Sequence, residues 1–141
     1  MTCQKYDDFW AGGFLYDRDS QSVFLHKRDG NTRRSPHKWA FFGGQSEAGE
    51  SHVDCFVREL EEEIGLRVRP TEARKLREYM NVEFNQYRVI FYVETAISRD
   101  QLVLGEGAGF SWFKLSEVGK LDLSDRTRDD ILYFTLQQRS R

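Results

Sequence analysis

The segment RELEEEIGL, residues 58–66, holds four glutamates in what the sequence predicts to be the last turns of a helix. Acidic side chains are unfavourable there, because the carbonyl end of a helix carries partial negative charge, an effect of up to about 1 kcal/mol. Like charges three or four residues apart add a repulsion of about 0.2–0.5 kcal/mol per pair. Nothing in the fold of a helix requires this arrangement, so the segment is a candidate for chemistry that uses carboxylates.

A helical projection at about 100° per residue sorts these glutamates. With Val53 at zero, Glu59, Glu62 and Glu63 fall at about 240°, 180° and 280°, and Glu61 at about 80°. The first three therefore share one face beside an apolar stripe, which consists of Val53, Phe56, Val57, Leu60 and Ile64. Clustered carboxylates suit a hard cation such as Mg²⁺, whereas zinc more usually recruits His or Cys. For this segment alone, a metal site and a solvated acidic face are equally good interpretations.

The surrounding residues 43–66, GGQSEAGESHVDCFVRELEEEIGL, resemble the signature of the Nudix hydrolases, G-x5-E-x7-R-E-U-x-E-E-x-G-U with U aliphatic. Every fixed position is filled at the required spacing: Gly44, Glu50, Arg58, Glu59, Leu60, Glu62, Glu63, Gly65 and Leu66. The preceding WAFFGG is also similar to the family, although many members have proline where this chain has Phe42.

The resemblance implies a MutT-like pyrophosphohydrolase that cleaves a nucleoside diphosphate linked to a group X. It implies an α/β fold, an α/β/α sandwich with a mixed central sheet and a helix on each side. It also implies that Glu59, Glu62 and Glu63 bind Mg²⁺, with Mn²⁺ as an alternative, helped by the carbonyl of Gly43. In GEGAGFSWFKL, residues 105–115, a weaker match makes Glu106 a further metal ligand.

The same resemblance assigns catalytic roles to Arg58, Glu59, Glu62 and Glu63. Glu59 is the general base favoured in MutT-like members, although other subfamilies use a different glutamate. Arg58 is expected to orient a glutamate ligand, since a guanidinium grips carboxylates in a fixed fork. Glu50 is its expected partner. Gly44 and Gly65 are expected to allow backbone turns where a side chain would interfere.

Substrate contacts outside the signature are less determined. The basic segment HKRDGNTRRSPHK, residues 26–38, is either a solvated loop or a phosphate-binding segment, with Lys27 and Arg28 as the candidates. Stacking on an aromatic ring would hold a base; the candidates, which are alternatively plain core residues, are Tyr16, Phe42, Phe84 and Tyr87. His26, His37 and His52 are expected to be surface or hydrogen-bonded polar residues.

The elements that must position these residues can be predicted from periodicity and turn signals. A helix from about Ser51 to Ile64 carries the glutamates. The other predicted elements are strands at 10–16, 22–25, 39–42, 66–69, 76–84, 87–97 and 110–113, and a helix from Ser124 to about Gln138 with Ile131, Leu132 and Thr135 buried. Strands in the middle and helices in two separate places predict a mixed sheet with a helix packed on each side.

The 141 residues are expected to form one domain, 1–141. Their net charge of −2 argues neither for nor against a polyanionic partner. Cys3 and Cys55 form no C-x-x-C pair, and no signal peptide or membrane segment is evident, which predicts a cytoplasmic protein without membrane or polymeric nucleic-acid partners. Nudix enzymes are often dimers, so a homodimer is allowed.

Three functions are compatible with these residues. The compact chain favours hydrolysis of a nucleoside triphosphate to the monophosphate and pyrophosphate. The alternatives are an ADP-ribose or nucleotide-sugar pyrophosphatase, and a nucleotide-binding regulatory module without turnover.

Overall fold

The computed structural model describes residues 6–30, 36–103 and 109–139. Within these ranges seven strands form one mixed sheet: β1 (Trp10–Asp17), β2 (Ser22–Lys27), β3 (Trp39–Ala40), β4 (Phe42–Gln45), β5 (Ala73–Asn81), β6 (Gln86–Glu94) and β7 (Gly109–Lys114). The helices are α1 (His52–Ile64), the short α2 (Leu115–Val118) and α3 (Asp125–Arg139). The predicted α/β class is confirmed.

The sheet follows the order β3-β2-β1-β6-β5, with β4 added to β1 and β7 added to β2. Strands β1 and β6 pair in parallel, and the other pairs are antiparallel. The central strand β6 is buried along almost its whole length, as expected of a strand covered on both faces. The sheet is therefore mixed, as predicted.

Each face of the sheet has its own core, and each core belongs to one helix. Helix α1 packs Phe56 and Leu60 against one face, together with Ala11 and Leu15 of β1. Helix α3 packs Ile131 and Phe134 against the other face. This layering is the predicted α/β/α sandwich, and it follows from the alternation of side chains along β1.

Four predicted strands differ from the structure, and one of them is 87–97, because β6 already ends at Glu94. The predicted strand 66–69 is irregular: Leu66 and Val68 pack on the α1-side core, but neither pairs with a neighbouring strand. The predicted strand 39–42 is two short strands interrupted at Phe41. The predicted strand 76–84 begins at Ala73 and ends at Asn81, where the 3-10 turn Val82–Phe84 follows.

The buried face of α3 was only partly predicted. Ile131 is buried, Thr135 is half-buried and Leu132 is exposed. The helix instead buries Asp130, whose carboxylate accepts hydrogen bonds from Arg77, Tyr79 and Arg88. A hydrophobic pattern along α3 cannot reveal this buried carboxylate, because the residues that hydrogen-bond it lie on β5 and β6. Among the described residues, none of the helices is long and apolar enough to cross a lipid bilayer.

Candidate active site

Helix α1 begins and ends where the sequence predicts. The side chain of Ser51 accepts a hydrogen bond from the Asp54 N–H at 3.2 Å and caps the first turn. Gly65 ends the helix with φ 69°, a left-handed conformation that glycine adopts without strain. The last turns of α1 lie against β4, so the glutamates face the Gly43-Gly44 backbone.

The three glutamates differ in burial, which the predicted shared face did not specify. Glu59 and Glu63 are buried, with 8% and 5% of their surface exposed. The side chain of Glu62 is 53% exposed, and Val53 and Val57 of the predicted apolar stripe are only half-buried. The inward face of α1 is therefore rotated toward Glu59 and Glu63, which lie against the Gly43-Gly44 backbone of β4.

Two contacts hold the buried glutamates against β4. The N–H of Gly43 donates a hydrogen bond to Oε2 of Glu63 at 2.9 Å. Gly44 leaves the space that Glu59 fills, since a Cβ on Gly44 would lie 2.2 Å from Oε1 of Glu59. Gly44 is thus required by the close approach of Glu59, whereas Gly43 is required by the β1 backbone and the Trp10 ring.

Arg58 joins the remaining acidic side chains into one network. Its guanidinium donates to both carboxylate oxygens of Glu50, at 2.7 and 3.1 Å. One terminal nitrogen, Nη1, also donates to Glu59 at 3.0 Å and to Glu62 at 3.2 Å. The other, Nη2, donates to the carbonyl of Gln45 at 3.1 Å. The expected pairing of Arg58 with Glu50 is present, and the repulsion expected among the glutamates is offset by this shared cation.

This network shifts the ionisation of its members. The hydrogen bond from Arg58 lowers the pKa of the Glu50 carboxyl below its ordinary value. The same bond raises the pKa of the Arg58 guanidinium above its already high ordinary value. Burial raises the pKa of the Cys55 thiol to about 12, and the Glu50 carboxylate adds to the shift. Cys55 is therefore a protonated thiol at neutral pH and is unsuited to be a nucleophile.

The donor set at the end of α1 fits a hard divalent cation. It consists of carboxylate oxygens beside glycine backbone, the ligand type that Mg²⁺ takes. Over the described ranges, no three His, Cys, Asp or Glu side chains already converge as a metal cage. Glu59 and Glu63 are in place, and Glu62 points outward to Arg58. Glu106, the predicted extra ligand, lies outside the described residues.

A cleft of about 360 Å³ opens on the α3 side of the sheet. Trp10, Arg88 and Asn81 line it from the strands, and the first turn of α3 lines it from the helix. The Trp10 ring also lies against Gly43, where a Cβ would come within 2.6 Å of Cζ2. The cleft and the glutamate cluster therefore adjoin across β4.

Only some of the predicted substrate-contact residues line the cleft. Arg28 and Phe84 line the cleft, whereas Lys27 is absent from its described lining. Tyr16, Phe42 and Tyr87 are buried core residues.

The histidines also divide. His52 is buried and contacts the Tyr6 carbonyl at 3.2 Å, and His37 is exposed. His26 is buried and, as expected of a polar core residue, hydrogen-bonded: its Nε2 lies 2.9 Å from the Phe41 carbonyl, while its Nδ1 has no partner among the described residues. Burial lowers the pKa of His26 to about 4, so its ring is neutral at pH 7.

Sequence patterns did not reveal the polar wall of the cleft. The guanidinium of Arg88 lies 4.1 Å from the centre of the Trp10 ring and donates to Asp130 at 3.3 Å and to the Tyr79 hydroxyl at 3.1 Å. Asn81 lies on the neighbouring strand. Arg88 interrupts an otherwise apolar strand, and this interruption is the one sequence signal that could have identified the wall.

Comparison with known proteins gives consistent results. A family model for the NUDIX domain matches residues 10–134. The nucleoside triphosphatase NudI of Enterobacter sp. (strain 638) is 27% identical over 103 residues, which cover 66% of this chain and 73% of that protein.

Solved structures share the fold at low sequence identity. The MutT protein from Methanosarcina mazei Go1 superposes with a TM-score of 0.73 at 18% identity, covering 92% of this chain and 94% of that one. The NUDIX domain of Shewanella oneidensis NrtR, in complex with ADP ribose, superposes with a TM-score of 0.73 at 15% identity, covering 93% and 86%. With the filled signature on α1 and the family match over most of its length, the chain belongs to the Nudix family and is a Nudix pyrophosphohydrolase.

Proposed function

We propose that this Nudix hydrolase uses Mg²⁺ to hydrolyse a nucleoside triphosphate to the monophosphate and pyrophosphate. The observation that carries the proposal is the pair of buried carboxylates, Glu59 and Glu63, held beside a cleft with a cationic and aromatic wall. A cluster that only solvated a helix face would have no reason to bury two of its charges. The related NudI protein is named a nucleoside triphosphatase, which favours a triphosphate.

Glu59, Glu62 and Glu63 would hold the cation, with the carbonyl of Gly43 and with Glu106. Mg²⁺, or Mn²⁺ in its place, supplies charge neutralisation on the phosphate oxygens and makes a bound water more acidic. The Gly43 N–H keeps Glu63 in position, and Arg58 fixes the carboxylates of Glu50 and Glu59. These contacts preorganise the ligand oxygens, which is what phosphoryl transfer requires of a protein.

Two further roles complete the proposal. Glu59 accepts the proton of the attacking water, since its carboxylate is buried at the end of α1 and Arg58 holds it in position. Arg28, which lines the cleft, meets the phosphate oxygens. Lys27 is retained as a phosphate contact only for a substrate that extends beyond the cleft. Gly44, Glu50 and Gly65 act by positioning the others.

Glutamine variants on α1 test this function. Glu62→Gln and Glu63→Gln are expected to lower turnover by at least ~100-fold, because each removes a charged oxygen ligand. Glu61→Gln is the matched control: Glu61 is on the same helix but pairs with the exposed Arg67, so its turnover should stay within about two-fold. Pyrophosphate release is measured with ATP, GTP, CTP and UTP at fixed Mg²⁺. Wild-type turnover in both test variants would show that the glutamate cluster is not a catalytic metal site.

A second candidate is hydrolysis of ADP-ribose or of a nucleotide sugar. It is favoured by the fold shared with the NrtR domain, which was solved with ADP ribose. Adding ADP-ribose to the substrate panel separates the two: a triphosphate hydrolysed no faster than ADP-ribose would exclude the first. A binding module without turnover is the third candidate, and it requires that no member of the panel be hydrolysed.

A single domain over residues 1–141, a homodimer and a cytoplasmic location remain predictions.

A further inference from the structure

Asn81, the last residue of β5, carries a buried amide to which no described residue hydrogen-bonds. Only 5% of its surface is exposed, and it lines the cleft. Its side chain makes no cap hydrogen bond to the following 3-10 turn, and no other described residue contributes a partner. The amide is not sealed off either, since His26 Nδ1 is the one enclosed unpaired side-chain atom over the described ranges. The amide therefore opens into the cleft.

No structural reason explains an asparagine at this position. Its backbone has φ −84° and ψ 97°, an extended conformation that any residue adopts. Buried polar side chains are nearly always hydrogen-bonded, because an unpaired one sacrifices its contacts with water. An apolar residue of similar size would satisfy the fold better. The amide is thus suited to a partner that the described part of the chain does not provide, such as a bound ligand.

The neighbours of Asn81 form a rigid and polar wall. Gln86 lies directly opposite on β6, and Arg88 lies two residues further along the same strand. Arg88 is fixed by Asp130, by the Tyr79 hydroxyl and by stacking on Trp10. Because these contacts immobilise the wall, the Asn81 amide is presented to the cleft in a defined place.

The chemistry of the amide selects the kind of ligand group. A phosphate offers only acceptors and is matched by the arginines of the cleft, Arg28, Arg88 and Arg126. An amide offers two donors and one acceptor side by side. The edges of nucleobases present adjacent donors and acceptors, which an asparagine can bind in a bidentate manner. Trp10 and Phe84, also in the cleft, offer ring faces for stacking.

We propose that the Asn81 side chain hydrogen-bonds the edge of the substrate base and sets the base preference of the enzyme. The proposal rests on the proposed nucleotide hydrolysis, for which it names the residue that reads the base. Asn81 is here a substrate-contacting residue, and Gln86 and Arg88 shape the wall around it.

Equilibrium binding tests the proposal without turnover. The probes are AMP, GMP, CMP and UMP, with ribose 5-phosphate as the ligand that lacks a base. Asn81→Leu removes both donor and acceptor, and Asn81→Asp keeps the shape but loses the donors. Asn85→Asp is the matched control, because Asn85 is exposed in the adjoining turn and does not line the cleft.

We expect the preferred monophosphate to bind Asn81→Leu about 10- to 100-fold more weakly, which is the discrimination of one bidentate base contact. Ribose 5-phosphate should bind all variants within about two-fold. Asn81→Asp should change the order of the four bases, and Asn85→Asp should leave it unchanged. The melting temperature of Asn81→Leu should equal or exceed that of wild type, since no described residue bonds the Asn81 amide. Asn81→Asp should melt lower, because it buries a charge.

Three results would overturn the proposal. One is an equal loss of affinity for monophosphates and ribose 5-phosphate. Another is an unchanged base order in both Asn81 variants. The third is wild-type protein that binds the four monophosphates no better than ribose 5-phosphate. If base-selective binding depends on Asn81 but no nucleotide is hydrolysed, the proposed function fails and this assignment stands.

Discussion

Replacing Arg58 by methionine removes the cation that holds the acidic network while keeping much of the apolar stem. Arg58 contacts Glu50 through two hydrogen bonds, Glu59 and Glu62 through one each. Its side chain is 21% exposed and that of Glu50 is 12% exposed. In Arg58→Met these carboxylates keep their charge and lose their shared donor, so the free energy of unfolding should fall.

The size of the effect follows from the burial of the pair. Removing one partner of a fully buried ion pair destabilises a protein by about 3–5 kcal/mol. Exposed pairs contribute about 0–1 kcal/mol because solvent screens them. The Arg58–Glu50 pair is about four-fifths buried, so its contribution lies between these limits, and we expect the free energy of unfolding to fall by roughly 2–3 kcal/mol. For a chain of 141 residues this corresponds to a melting temperature lower by about 6–12 °C.

Thermal unfolding of metal-free protein, followed by circular dichroism at several pH values, measures the effect. Arg67→Met is the control: Arg67 bonds Glu61 at 2.9 Å near the same helix end, but its side chain is 86% exposed. Its loss should change the stability by no more than ~0.5 kcal/mol. Arg58→Met and Arg67→Met remove the same charge, so their difference isolates the buried network.

The pH dependence has a definite sign. Arg58 lowers the folded-state pKa of Glu50, so this pairing stabilises the fold above the ordinary carboxyl pKa and is lost as the pH falls through the folded-state value. The gap between wild type and Arg58→Met should therefore be full at pH 7 and should narrow below about pH 4. A gap that is constant with pH would assign the loss to packing, and equal melting temperatures for Arg58→Met and Arg67→Met would refute the reasoning.

Two further predictions follow from the packing around α1. Gly44→Ala should lower kcat/KM by about 10- to 100-fold with little change in melting temperature, because the new Cβ displaces the end of the Glu59 side chain. Gly109→Ala is the control, since a Cβ at Gly109 meets open space. Equal activity of the two variants would contradict the role given to Glu59. In a Cys3→Ser background, Cys55 should resist iodoacetamide at pH 8 until the protein is unfolded in guanidinium, because burial raises its pKa to about 12; rapid labelling of the folded protein, followed by mass spectrometry, would refute this.

Local signals along the chain predicted α1 well. Ser51, Gly65 and the spacing of Phe56, Leu60 and Ile64 are sufficient to place both ends of the helix and its core contacts. The hairpin of β1 and β2 and the parts of β6 and β7 were predicted for the same reason, because each has its turn residues and its period in one short segment. The strand predicted at 66–69 is wrong, since alternation cannot show whether a neighbouring strand is available.

The burial of each glutamate depends on the strand against which α1 packs. Spacing separates Glu61 from Glu59, Glu62 and Glu63, but only the packing of α1 on β4 buries Glu59 and Glu63 and leaves Glu62 exposed. The projection placed Val53 and Val57 in the buried stripe, but both are half-buried in the folded protein, and Glu59 and Glu63 lie against the glycines of β4.

The sequence by itself determined the family and the signature helix, and it predicts the ligand type, because these depend on residues within one segment of 23 positions. Only the tertiary structure decided which carboxylates are buried, that Arg58 bridges Glu50, Glu59 and Glu62, and that Trp10, Asn81 and Arg88 form a wall beside them. These residues come from separate elements that meet in the folded sheet, and no short-range pattern records which distant residues become neighbours.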